Sequence, residues 1–225
     1  MSDKLISEET EWSRVAEELK AEKVKLAFYD NTVIYLLGNF RGKKILDYGG
    51  GPGVLAFALK KLGADVKEYD ISEDMRKQAS EKIGKENIYH VVEEIPKNKF
   101  DLIICNLVLC IVSEDEVKRI VTNIKNALNE SCFAFIGFCN PRLLDVPETN
   151  LDLRPTPKHK YKENHSYMKT KKEGGYQIIE NHRPIEWYEK VYKQMGLTVV
   201  GTFFTPEYEL KGRKIKDFII FKLRK

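Results

Sequence analysis

Residues 47–53 read Asp-Tyr-Gly-Gly-Gly-Pro-Gly, a carboxylate two positions ahead of a run of glycines. Gly49, Gly50, Gly51 and Gly53 can turn through positive φ and let a ligand reach the backbone without meeting a Cβ. The apolar pair Ile45-Leu46 before them reads as a strand end, and Val54, Leu55, Phe57, Ala58 and Leu62 after them recur at helical spacing. Such a helix points its first free N–H groups and the positive end of its dipole back at the loop. Strand, glycines and helix together make a nucleotide-type cofactor loop. Two ligand chemistries fit it. Gly51-Pro52-Gly53-Val54-Leu55-Ala56 matches a loose dinucleotide fingerprint. Asp47 argues against that, because a carboxylate beside a diphosphate repels it, whereas it suits a ligand that carries a cation.

Asp70 falls 17 residues after Gly53, where a βαβ unit presents a carboxylate at the end of its second strand to ribose hydroxyls. Ser72, just beyond it, reads as the N-cap of a polar helix. Glu93 and Glu94 follow a third strand, and Asn106 interrupts the apolar run over residues 100–112, where a polar side chain needs partners.

Residues 45–53 resemble motif I of the class I S-adenosylmethionine-dependent methyltransferases, acidic-x-Gly-x-Gly-x-Gly, with matches at Asp47, Gly49, Gly51 and Gly53. S-adenosylmethionine bears an ammonium and a sulfonium and no phosphate, which agrees with the argument from Asp47. The resemblance implies further roles: Asp70 on the ribose, Ile71 flanking the adenine, Glu93 or Glu94 at the adenine amino group, and Asn106 and Leu107 bordering the methionine moiety. It also implies N-terminal helices that lie over the site as a lid, with Tyr29 as a substrate contact, and a substrate cap inserted after the fifth strand. Asn181-His182-Arg183-Pro184 resembles the segment that closes such a cap. Tyr161, Tyr167, Tyr176 and Arg183 are then candidate substrate contacts, and His182 is the candidate base should the acceptor be a phenol or alcohol. His90, His159 and His165 read as structural or exposed.

The elements that must hold these residues follow from periodicity. Residues 8–26 form an amphipathic helix and 26–37 a second apolar helix ending at Gly38. A strand ending at Ile45-Leu46 and strands over 66–70, 87–92, 100–112 and 132–138 alternate with helices over 54–62, 73–83 and 114–128. Alternation of this kind predicts an α/β fold, a doubly wound, Rossmann-like parallel sheet. Seven strands result when a terminal reversed β-hairpin, implied by the resemblance, is drawn from 197–204 and 217–223 around a turn at 210–216. A last helix spans 184–195, with Pro184 where a missing N–H is harmless.

At 225 residues the chain suits one domain. It divides into N-terminal lid helices (1–40), a cofactor-binding core (41–138), the cap (139–183) and a closing helix and hairpin (184–225). The cap holds Pro141, Pro147, Pro155 and Pro157, shows little periodicity, and reads as a long structureless segment. No secretory signal or membrane span is visible, so the expected setting is cytoplasmic. Cys105, Cys110, Cys132 and Cys139 lack metal-ligand spacing, so reduced thiols and no metal are expected.

Net charge is +4 overall, but residues after Asn150 carry 17 Lys and Arg against 9 Asp and Glu. The expected activity is methyl transfer to an O or N atom of a small-molecule acceptor. An RNA or protein methyltransferase stands second on that basic half, and nucleic acid stays open as a lesser partner. An NAD(P)-dependent oxidoreductase and a non-catalytic cofactor-binding protein are the readings from other classes.

Overall fold

The structure, a computed structural model, describes residues 27–172 and 174–225. The helix expected over residues 8–26 lies outside them. Helix α1 (Ala27–Leu37) leads to β1 (Lys44–Tyr48), α2 (Val54–Lys61), β2 (Asp65–Tyr69), α3 (Glu73–Ile83) and β3 (Ile88–Tyr89). Next come β4 (Phe100–Asn106), α4 (Glu114–Ala127) and β5 (Leu128–Cys139). The insertion carries β6 (Asp152–Leu153), β7 (His165–Lys171) and β8 (Gln177–His182), and the chain ends with α5 (Ile185–Gln194), β9 (Thr198–Phe204), β10 (Tyr208–Leu210), β11 (Arg213–Ile215) and β12 (Phe218–Arg224).

Seven strands form the main sheet in the order β3-β2-β1-β4-β5-β12-β9. The first five run parallel, and β12 lies antiparallel between β5 and β9. This is the doubly wound sheet with a reversed terminal hairpin. Its centre is buried on both faces, which is why Leu102, Ile103, Ile104 and Cys105 run as consecutive apolar residues. Helix α4 starts on Ser113, whose side chain accepts a hydrogen bond from Glu116 N. It buries Val117, Ile120, Val121 and Ile124 at the three- and four-residue spacing of one helical face.

Three boundaries differ from the sequence expectation for physical reasons. Strand β4 ends at Asn106 because Leu107 takes φ +61°, which turns the chain out of the sheet. Strand β5 begins straight after α4, and its register with β4 slips between Phe100 and Leu102 so that residues 129–132 are absorbed. The third strand shortens to two residues, because residues 92–94 coil into a 3-10 turn.

The larger correction concerns the insertion. Residues 139–183 are not structureless: β6, β7 and β8 form a three-stranded antiparallel sheet. Alternation failed to reveal it because the most deeply buried residue of β7 is a lysine, Lys169 at 1% exposure, beside half-buried Met168. The turn expected at 210–216 is likewise a small hairpin of β10 and β11. Among the described residues, no helix is long and apolar enough to cross a membrane.

Candidate active site

The glycine loop is tied to the end of β2. Gly49 N and Gly50 N both donate to Tyr69 O, at 2.6 and 3.2 Å. Gly51 N donates to Asp70 Oδ2 at 2.9 Å, and Ser72 N donates to Asp70 Oδ1 at 2.9 Å. Asp70 therefore fixes the loop against the next turn, and each oxygen keeps a lone pair for a ligand hydroxyl. Gly53, at φ +74°, heads α2, and a Cβ there would lie 2.8 Å from Ala79 Cα, so only glycine lets α2 and α3 approach at this point. Arg76 Nη1 donates to the carbonyls of Asp70 and Ile71 and braces the far side of the turn.

The surroundings of this loop are strongly acidic. Asp47 is 2% exposed, and its Oδ2 has no hydrogen-bond partner. Glu68, fully buried on β2, has none on either carboxylate oxygen. Asp30 of α1 and Asp70 place their charges near Asp47. Burial, then the charges of Asp30 and Asp70, push Asp47 up to about 8. Burial also raises Asp30 to about 6, and it raises Asp70 despite the backbone N–H groups that favour its charged form. Buried carboxylates held away from water and close to one another are relieved either by keeping a proton or by meeting a cation. Glu68 was missed in the sequence. Its signal is the alternation Val66, Glu68, Asp70 along β2, which puts a second carboxylate on the strand face that carries Asp70.

At the end of β4, Asn106 Oδ1 accepts from Tyr29 Oη at 2.8 Å while Asn106 Nδ2 is buried without a partner. Tyr29 is 1% exposed and packs on Phe218 with ring centroids 4.6 Å apart. A Cβ on Gly137 would stand 1.9 Å from Tyr29 Oη, so the tyrosine needs glycine at that point of β5. Nothing in the local sequence around Gly137 announces this. Leu107 N donates to Gly137 O at 2.7 Å, which fixes the turn that follows Asn106.

The residues expected on the adenine side are more open. Ile71 is exposed after β2, as is Val91 after β3, a residue that sequence reasoning did not pick out. Glu93 and Glu94 are both exposed; Glu94 Oε2 accepts from His90 N at 2.7 Å.

The cap residues are brought to the loop after β4, not to the glycine loop. Arg183 donates to Leu109 O and Val112 O at 3.1 and 2.7 Å and lies over Trp187. Asn181 N donates to Cys110 O at 2.7 Å. His182 is buried, its Nε2 is 2.7 Å from Tyr161 O, and burial lowers its pKa. A neutral ring donating from Nε2 leaves Nδ1 as its acceptor. Tyr161 Oη accepts from Ile185 N, and Tyr167 Oη donates to Glu180 at 2.6 Å. Tyr176 is half-buried at the turn between β7 and β8. An open groove of about 590 Å³ runs between Arg142, Leu144, Pro157, Tyr161 and Glu186 and shares no lining residue with the glycine loop.

Beneath the cap sheet sits an ionic cluster. Lys169 Nζ lies 3.0 Å from Asp152 Oδ2, pairs with Glu180, and is 3.1 Å from Cys139 Sγ. Arg154 and Lys171 also pair with Asp152. Among the described residues, Cys110, Cys139 and Glu180 bring potential metal-ligand atoms within 4.8 Å of one another. The Lys169 ammonium already supplies the positive charge there.

Residues 46–136 match the family described as methyltransferase domain. The chain is 33% identical over 112 residues to ribosomal protein L11 methyltransferase of Caldicellulosiruptor saccharolyticus, covering 47% of this chain and 35% of that protein. It is 31% identical over 119 residues to the protein of the same name from Fusobacterium nucleatum, covering 48% and 36%. The chain thus spans about a third of the length of these curated relatives. Among solved structures, an S-adenosylmethionine-dependent methyltransferase from Clostridium acetobutylicum superposes at TM-score 0.65 and 18% identity, over 96% of this chain and 98% of its own. One from Mesorhizobium loti does so at 0.62 and 16%, over 88% and 98%. The family match covers residues 46–136, less than half of this chain, and the two structures share its fold. The donor set fits S-adenosylmethionine, since unpartnered carboxylate oxygens suit its cations and the Asn106 Nδ2 donor suits its carboxylate.

Proposed function

We propose that the protein transfers a methyl group from S-adenosylmethionine to an O or N atom of a small-molecule acceptor held beneath the 139–183 cap. The cofactor supplies, when bound, an electrophilic methyl group on a sulfonium sulfur. The chain's own part is positioning, and alignment of this kind can remove roughly 7 to 11 kcal/mol of barrier. Asp70 takes the ribose hydroxyls, Asp47 the ammonium, and Asn106, oriented by Tyr29, offers its free N–H to the methionine end. His182 Nδ1 is the candidate acceptor of a proton from a hydroxyl nucleophile.

The observation that carries the small-molecule reading is the way the cap is fastened. Asn181 and Arg183 bind the carbonyls of Leu109, Cys110 and Val112, so the cap covers the loop that leaves β4 and favours an enclosed acceptor. A protein acceptor is favoured by the L11 methyltransferase relatives, although the matches to them cover about half of this chain. An RNA acceptor draws less support from the basic half, because Lys169, Lys171 and Lys172 pair with Asp152, Glu180 and Glu148.

The test is to incubate the protein with methyl-labelled S-adenosylmethionine and a cell extract split by size. Label in the low-molecular-weight fraction supports the proposal. Label confined to protein or RNA overturns the acceptor class.

A further inference from the structure

Glu68 lies under the glycine loop rather than beside it. A Cβ on Gly50 would stand 2.7 Å from Glu68 Cδ and 3.0 Å from Asp47 Cγ, and one on Gly53 would stand 3.2 Å from Glu68 Oε2. Two carboxyl groups therefore converge on one point below the loop backbone. Neither oxygen of Glu68 has a hydrogen-bond partner, nor does Asp47 Oδ2. Two fully ionised carboxylates cannot occupy such a place together without a counter-ion, and one shared proton removes the conflict.

Among the described residues, the groups that face the pair carry more negative than positive charge. From α1 comes Asp30, from β1 Asp47 itself, from β2 Glu68 and Asp70, and from β4 the buried thiol of Cys105. Helix α3 contributes Arg76, which donates to the carbonyls of Asp70 and Ile71, and Lys82, which donates to the carbonyl of Pro52. Burial first, then Asp47 and Asp70, raise Glu68 well above the ordinary carboxyl range, and Lys82 opposes them less strongly.

We propose that Asp47 and Glu68 share one proton beneath the glycine loop and release it to solvent when the cationic methyl donor binds above them. This rests on the reading that the loop holds S-adenosylmethionine. The step is a plain ionisation: a carboxyl O–H bond breaks, the proton passes to water, and the electron pair stays on the carboxylate that now faces the ligand's ammonium and sulfonium. Donor binding is thereby coupled to proton loss and tightens as pH rises through the range in which the pair holds its proton. The product, a neutral thioether in place of the sulfonium, draws out less of that proton and is held more weakly. Glu68 thus acts as a specificity-determining residue for donor over product.

The experiment is calorimetric titration of the 225-residue chain at pH 7 in buffers of different ionisation enthalpy. Wild type is expected to release about one proton per S-adenosylmethionine bound, fewer per S-adenosylhomocysteine, and the Glu68→Gln variant less than roughly half of the wild-type number. Saturable binding without proton release, or equal release by wild type and Glu68→Gln, overturns the proposal and leaves the cofactor assignment intact. No saturable heat at all removes the assignment and the proposal with it. Infrared difference spectroscopy on the wild type keeps the test independent of the variant's folding. A protonated-carboxyl band should vanish when the donor binds, and a band that persists contradicts the shared proton.

Discussion

At the scale of single residues, Asp70 carries the most specific burden. Its two oxygens each accept one backbone N–H, from Gly51 and Ser72. It therefore sets the loop before any ligand arrives and, in the proposed function, offers its remaining lone pairs to the ribose hydroxyls. A hydrogen bond to a charged acceptor contributes roughly 1.5 to 3 kcal/mol. Asp70→Ala should accordingly weaken donor binding by about 10- to 150-fold. The placement of the motif residues was legible because it rests on chain-local spacing: Asp47 precedes the glycines, and Asp70 follows the next strand. Glu68 and Gly137 were not, since each is defined by what lies across from it. Glu68 matters through Asp47 and the backbone of Gly50, and Gly137 through a tyrosine more than a hundred positions away.

Among the elements, the cap sheet is the one whose stability rests on charge. Lys169 is fully buried and meets Asp152, Glu180 and Cys139. Removing one partner of a buried ionic cluster leaves uncompensated charge, which destabilises by about 3 to 5 kcal/mol. Lys169→Met should lower the urea-unfolding free energy by that amount, and a loss within about 0.5 kcal/mol would show the cluster to be dispensable. The strands β7 and β8 escaped sequence reading for the same reason: their inward face is ionic, so no apolar alternation marks it. Helix α4 and strand β4 were plain because their burial is apolar and their periods of 3.6 and near-continuous run are the direct imprint of that burial.

For the whole molecule, the two ionic regions pull stability in opposite directions with pH. Despite burial, the ammonium groups of Lys169 and Lys171 hold Asp152 below its usual value, and Lys169 and Arg154 do the same for Glu180. Their contribution is present above the unfolded pKa, about 4, and lost as pH falls below it. Asp47, at about 8, and Asp30, at about 6, are raised in the folded chain. The folded state then binds more protons than the unfolded state between about pH 4 and 8, so stability falls as pH rises across that window. Unliganded protein should be most stable at about pH 4 and, by roughly 5 kcal/mol or more, less stable at pH 8. Chemical denaturation at both pH values checks this, and an unchanged or rising stability would contradict it. Topology was readable at this scale, because alternating strands and helices leave few ways to arrange a parallel sheet. The acceptor was not, since it depends on how the cap meets the loop after β4.

The central claim, that the acidic surroundings of a glycine loop are built for a cationic adenosyl donor, is tested most directly by titrating wild type and Asp70→Ala with S-adenosylmethionine in a calorimeter. The expected result is saturable binding by wild type and a loss of about 10- to 150-fold in the variant. Equal affinity of the two proteins, or no binding by wild type, would contradict it.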